Sequence, residues 1–221
     1  MATKKFSKRE AIRFSWDVMK KNFWFFAGVL IIAGLIVWIP SIISELIKKE
    51  FAILSIIIGI AGWVLQVVVQ LGLIKITLNL YDNKERKFSD LFSCFHLFFK
   101  YIFSSILYSL IVLGGFVLLI VPGIIWSIKF QFFEYFIVDK GVGPMEALKR
   151  SSAITQGAKW NLFLFGLLLG LINLLGVLCL IIGLFAAIPT TMVAQAFVYR
   201  KLLSYVESPQ VPQPAQEINI Q

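Results

Sequence analysis

The segment from about residue 22 to residue 44, NFWFFAGVLIIAGLIVWIPSIIS, carries no charged side chain. About 20 apolar residues rising 1.5 Å each cross ~30 Å of hydrocarbon, so such a run specifies a membrane-crossing helix before anything else. Comparable apolar runs lie at about 52–80, 101–121, 124–138, 160–178 and 184–206. The composition agrees: 59% of residues are hydrophobic and 15% charged, against about 45–50% and about 25% in soluble domains. The expectation is an all-α polytopic membrane protein with six transmembrane helices in a single domain over residues 1–206. The tail 207–221, SPQVPQPAQEINIQ after its first residue, is polar and proline-rich and is expected to be disordered.

The basic residues orient these runs. Of the 21 Lys and Arg, 17 fall in the N-terminal segment or in alternate connections, which places both termini in the cytoplasm of a multi-pass protein of the cell inner membrane. Lys48 and Lys49 fall on the other side, and Lys75 and Lys129 lie inside spans. No recognised nucleic-acid motif accompanies the net charge of +9, so contact with anionic lipid is the expected use of that charge. His96 is the single histidine, without a ligand set around it, and no metal or cofactor is expected. The start MATKKFSKREAIRF is followed by no small-residue cleavage site, so the first span is expected to remain as an anchor.

The basic segments have helical periodicity. In SKREAIRFSWDVMKK, Ser7 and Glu10 have capping-box spacing, and Ile12, Trp16, Met19 and Phe23 recur at helical intervals. FSDLFSCFHLFFKY and GPMEALKRSSAITQGAKW repeat the design, giving three expected amphipathic helices at the cytoplasmic interface. Lys8, Arg9, Arg13, Lys20, Lys149 and Arg150 are the expected contacts with lipid headgroups. Glu10-Ala11-Ile12-Arg13, Ser15 and Trp24 match Glu146-Ala147-Leu148-Lys149, Ser151 and Trp160 at one offset of 136 residues. That common offset suggests repeated units, each an interfacial helix followed by a hairpin.

Pro122-Gly123-Ile124, Ile137-Val138-Asp139 and Glu146-Ala147-Leu148 with Ser151 and Trp160 resemble a prokaryotic family of six-helix membrane proteins of unknown function. That family is similar to the membrane domain attached to some glycerophosphoryl diester phosphodiesterases. The resemblance covers mostly residues 115–206 and implies a helical membrane domain without its own established activity.

One segment breaks the apolar pattern. IIWSIKFQFFEYFIVDKG, residues 124–141, carries Lys129, Gln131 and Glu134 in its middle. A central charge costs about 2.5–3.5 kcal/mol on insertion scales, so these side chains need partners. Ser127, Gln131 and Glu134 form one stripe at helical spacing. Gln66 and Gln70 in the second span and Asn173 in the fifth are their candidate counterparts, and Gly166 and Gly170 are expected to let helices approach closely. Lys75 and Glu134 lie at matched depth, which suggests an ion pair. The resulting candidate polar site is Gln66, Gln70, Lys75, Lys129, Gln131, Glu134 and Asn173. It contains no nucleophile–base pair, metal set or phosphate loop, so no enzyme is expected. The leading expectation is an accessory or scaffold component that binds anionic lipid, with an unidentified membrane protein as a possible partner. The alternative is a small transporter or channel for a lipid-like or small polar solute.

Overall fold

The computed structural model describes residues 6–179 and 183–207, and among them the regular elements are helical and no strand occurs. The chain forms α1 (Lys8–Lys21), α2 (Phe23–Ile47), α3 (Ala52–Tyr81), two short 3-10 turns (Phe88–Leu91 and Phe95–Leu97) and α4 (Phe98–Leu118). These are followed by α5 (Ile120–Phe130), α6 (Phe133–Lys140), α7 (Pro144–Thr155), α8 (Lys159–Leu178) and α9 (Leu184–Glu207). The expected tail beyond Glu207 lies outside the described residues. Local chemistry sets several boundaries. Ser7 accepts the Glu10 N–H at 3.2 Å to cap α1, Pro144 takes the first position of α7, and Gly141 ends α6 in the left-handed region at φ 62°.

Five stretches are long and apolar enough to cross a membrane: Phe23–Ile47, Ala52–Tyr81, Phe88–Leu118, Ile120–Lys140 and Lys159–Leu178. Most of their outward side chains are apolar, with Ile53 and Val117 largely exposed, as a hydrocarbon solvent favours. The expected sixth span, α9, does not reach that apolarity. Its 24 residues extend about 36 Å, yet half of its surface is turned to protein. Ala187, Thr191, Val193, Ala194, Val198, Tyr199 and Leu202 are all buried. The described residues therefore give five candidate spans rather than the expected six, and α9 is a helix packed along one side against protein.

The structure extends the internal repeat beyond sequence identity. Lys8 and Pro144 begin α1 and α7, and Phe23 and Lys159 begin α2 and α8, each pair at the same offset of 136 residues. Ala11 and Ala147, and Ser15 and Ser151, are equally inaccessible. The three units are α1–α3, the 3-10 turns with α4–α6, and α7–α9. The helix or turn that opens each unit docks on the returning helix of the preceding one. The 3-10 turns pack on α3, α7 packs on α5 and α6, and α1 closes the ring by packing on α9. The expected second amphipathic helix is therefore replaced by turns. The first turn docks on Gly72 of α3, where the Leu91 backbone lies so close that no Cβ would fit.

The fourth span is a broken helix. Residues 131 and 132 separate α5 from α6, and α7 supplies the polar atoms the break needs. Ser151 Oγ accepts the Phe132 N–H at 3.1 Å and reaches the Lys129 carbonyl at 3.2 Å. The Thr155 hydroxyl reaches the same carbonyl at 2.9 Å, and the Gln131 side chain donates to the Ile128 carbonyl at 3.1 Å. Unpaired backbone groups at such a place cost several kcal/mol each, so α7 belongs to the span it caps. Pro122-Gly123, a dipeptide that commonly marks a turn, lies inside α5. The chain reverses instead at Leu119, which is extended at φ −167°. Pro122 is tolerated because a first helical turn has no intrahelical acceptor for its N–H groups.

Glycine placement also differs from expectation. Gly166 and Gly170 have open space where a Cβ would point, whereas Gly176 meets Ala187 and Gly183, and Gly62 meets Pro40. Gly72→Ala is expected to destabilise the fold by about 1–3 kcal/mol through overpacking, while Gly166→Ala leaves stability unchanged or slightly raised. Reversible unfolding in mixed micelles measures both, and equal stabilities would contradict the close packing at Gly72.

Candidate functional site

The returning helices α3, α6 and α9 carry two tiers of polar side chains. The first tier lies at their C-terminal ends. Arg200 of α9 donates from Nε and Nη2 to Asp82, the residue capping α3, at 3.1 and 2.7 Å. The same guanidinium donates from Nη1 and Nη2 to Asp139 of α6 at 2.7 and 2.8 Å. The planar fork matches carboxylates in this way, and charge-assisted bonds are the stronger kind. All three side chains are largely buried, at 16, 20 and 13% exposure for Arg200, Asp82 and Asp139. The Tyr199 hydroxyl adds a bond to Asp139 at 3.0 Å. Lys84 approaches Asp82 at 3.5 Å, which reduces the excess negative charge.

The second tier contains Glu134. Its carboxylate accepts from Gln70 Nε2 at 3.3 and 3.4 Å and from the Tyr101 hydroxyl at 3.4 Å. On α9 the matching residue is Gln195, whose Oε1 accepts from the Tyr135 hydroxyl at 3.2 Å. Gln66, Gln70 and Gln195 are exposed although they lie within long apolar helices. Phe133 stacks between Tyr101 and Tyr108, with ring centroids 6.1 and 5.1 Å apart. Below this tier Tyr135, Phe136 and Tyr199 pack as an aromatic layer over the Arg200 cluster.

The expected site residues separate into three groups. Gln70 and Glu134 meet. Gln66 shares the Gln70 face of α3, and Asn173 contacts Thr191 between α8 and α9 at 3.5 Å. Lys75, Lys129 and Gln131 lie elsewhere. Among the described residues no ion pair joins Lys75 to Glu134. Five residues beyond Gln70, Lys75 points about 140° away around α3. Ser127 and Gln131 bond to carbonyls of their own helix, so the expected stripe ends at the break. The Lys129 ammonium lies 4.9 Å from the centre of the adjacent Phe130 ring, and its carbonyl rather than its charge anchors the fold.

Arg200, Asp82, Asp139, Gln195, Tyr101 and Tyr135 were not among the expected site residues. Arg200 reads in sequence as one more basic residue at a span end, and Asp82 and Asp139 as span ends. Ala187, Thr191 and Gln195 recur every four residues as a small and polar stripe along α9, which is the signal that could have found Gln195.

The fold and its apolar helices define a multi-pass α-helical membrane bundle that carries two tiers of polar side chains. The chain belongs to the family defined by a domain of unknown function, DUF7847, which matches residues 51–216. No curated protein and no solved structure matches the chain, and nothing in the comparisons ties it to glycerophosphoryl diester phosphodiesterases. Removing one member of a buried charge cluster strands the others, at about 3–5 kcal/mol. Arg200→Gln is expected to lose that much stability in a denaturant titration, with partial recovery in the R200Q/D139N double variant. Wild-type stability in R200Q alone would show that the cluster does not hold the three helices.

Proposed function

We propose that this protein is a non-enzymatic component of the cell inner membrane, an accessory or scaffold protein that grips anionic lipid with its basic helices. Both termini lie on the cytoplasmic side in this reading, membrane lipids are its ligands, and a second membrane protein is its natural partner. The observation that carries the reading is the exposure of basic residues at the helices that open the first and third units. Arg9, Arg13, Lys20, Lys149 and Arg150 are exposed, while the opposite faces of α1 and α7 are buried through Ala11, Ser15 and Met19, and through Ala147, Leu148 and Ser151. Each such cation near an anionic leaflet contributes about 1 kcal/mol. The full chain in nanodiscs is therefore expected to melt at higher temperature with phosphatidylglycerol than with phosphatidylcholine. High salt and the R9Q/R13Q/K149Q/R150Q variant should both remove that difference. Equal melting in the two lipids would overturn the reading.

A second reading, a small transporter or channel for a lipid-like or small polar solute, is favoured by the exposure of Gln66, Gln70 and Gln195 around Glu134. Ionisable groups at membrane depth serve ion and substrate pathways. Proteoliposomes containing a pH-sensitive dye test this with protons as the probe. On the transport reading, wild type dissipates an imposed gradient and Glu134→Gln, at equal incorporation, does not. Equal rates in wild type, E134Q and empty liposomes favour the accessory role.

A further inference from the structure

The exposed cations are not equivalent. Lys20 pairs with Asp17 at 3.0 Å within α1, and Arg150 Nε donates to Glu146 at 2.9 Å within α7. Among the described residues, Lys8, Arg9 and Arg13 form no ion pair. These three, with Ile12 and Trp16 of α1 and Leu164 and Leu168 of α8, line an open surface groove of about 750 Å³. Its lining holds three cations and no carboxylate. Arg9, Arg13 and Trp16 follow one helical stripe, with Lys8 and Ile12 beside it.

The groove joins two environments. Trp160 and Trp24 stand exposed in the first turns of α8 and α2, where aromatic residues mark the headgroup level. Leu164 and Leu168 lie about 6 and 12 Å further along α8, at acyl-chain depth. Long basic side chains placed beside them reach back to the headgroup level. Resting on the lipid-contact reading above, the geometry points to a defined site for one anionic glycerophospholipid. Its phosphate is held by Lys8, Arg9 and Arg13, and an acyl chain lies over Ile12, Leu164 and Leu168. The alternative is a diffuse lipid annulus with no preferred position.

Native mass spectrometry of the full chain in mild detergent separates these cases. Wild type is expected to retain one phosphatidylglycerol per chain in preference to phosphatidylcholine. R9Q/R13Q is expected to bind phosphatidylglycerol about thirtyfold more weakly, from two lost cations. Leu164→Trp fills the groove without changing charge and should also lose the retained lipid, whereas Lys149→Gln should not. Retention by L164W equal to wild type, or equal retention of the two lipids, overturns the site. A photoactivatable phosphatidylglycerol added to wild type gives a test that needs no variant. Cross-links concentrated on residues 8–16 and 164–168 support the site, and an even spread over α2 and α3 excludes it. If anionic nanodiscs still stabilise the protein while cross-links spread evenly, the general lipid reading stands and the site alone fails.

Discussion

Arg200 divides one guanidinium between two carboxylates that come from different repeat units. Asp82 ends the first unit's returning helix and Asp139 lies near the end of the second's, while Arg200 belongs to the third's. In lipid there is little apolar driving force between helices, so packing and polar contacts must position them. A buried bidentate cluster meets that need only if every partner is present, because each ion left alone is costly. The cluster therefore makes the three units interdependent at one end of the bundle. The ring of docking contacts, α1 on α9, the 3-10 turns on α3 and α7 on α5 and α6, extends the same dependence around the circumference.

The break in the fourth span follows from this architecture. A straight helix from Ile120 to Lys140 would let the axis and register of α5 dictate where α6 places Glu134 and Asp139. Parting α5 from α6 frees that choice and leaves backbone groups without helical partners. Ser151 and Thr155 satisfy them. The equivalent residue in the first unit, Ser15, bonds instead to Ala11 of its own helix at 2.6 Å, and α9, on which α1 packs, is unbroken. The same serine in two repeats thus serves an unbroken and a broken neighbour, which shows how duplication supplies a polar atom that only one copy uses across helices.

Much of the bundle was legible because lipid imposes a one-dimensional rule. Length and apolarity identify the spans, and the offset of 136 residues between Glu10-Ala11 and Glu146-Ala147 anticipated helix starts at positions 8 and 144, and 23 and 159. Where helices face protein the rule lapses. α9 falls short of the apolarity that marks the five candidate spans, and Gly166 and Gly170 have the spacing of a packing motif but face open space. Depth alone paired Glu134 with Lys75; the angular position around α3 selects Gln70. A sequence read along its length gives depth well and azimuth poorly. The Arg200 cluster was missed for the same reason, since its partners lie 61 and 118 residues away along the chain and share only a level.

Azimuth also separates what the polar groups do. The Arg200 cluster is largely satisfied from within, with hydrogen-bonded carboxylates on both sides of the guanidinium and a tyrosine hydroxyl on one of them. The Glu134 tier is different: Gln66, Gln70 and Gln195 retain exposed surface, so they have bonding capacity beyond the contacts that hold the helices. The α1–α8 groove differs again, because among the described residues its cations have no carboxylate partner and its apolar wall lies beside them. Saturated polar groups hold a fold together, and unsaturated ones are where a membrane bundle meets something else. By that criterion the groove and the Glu134 tier are the places where this protein's chemistry lies, and Arg200 is what keeps both in position.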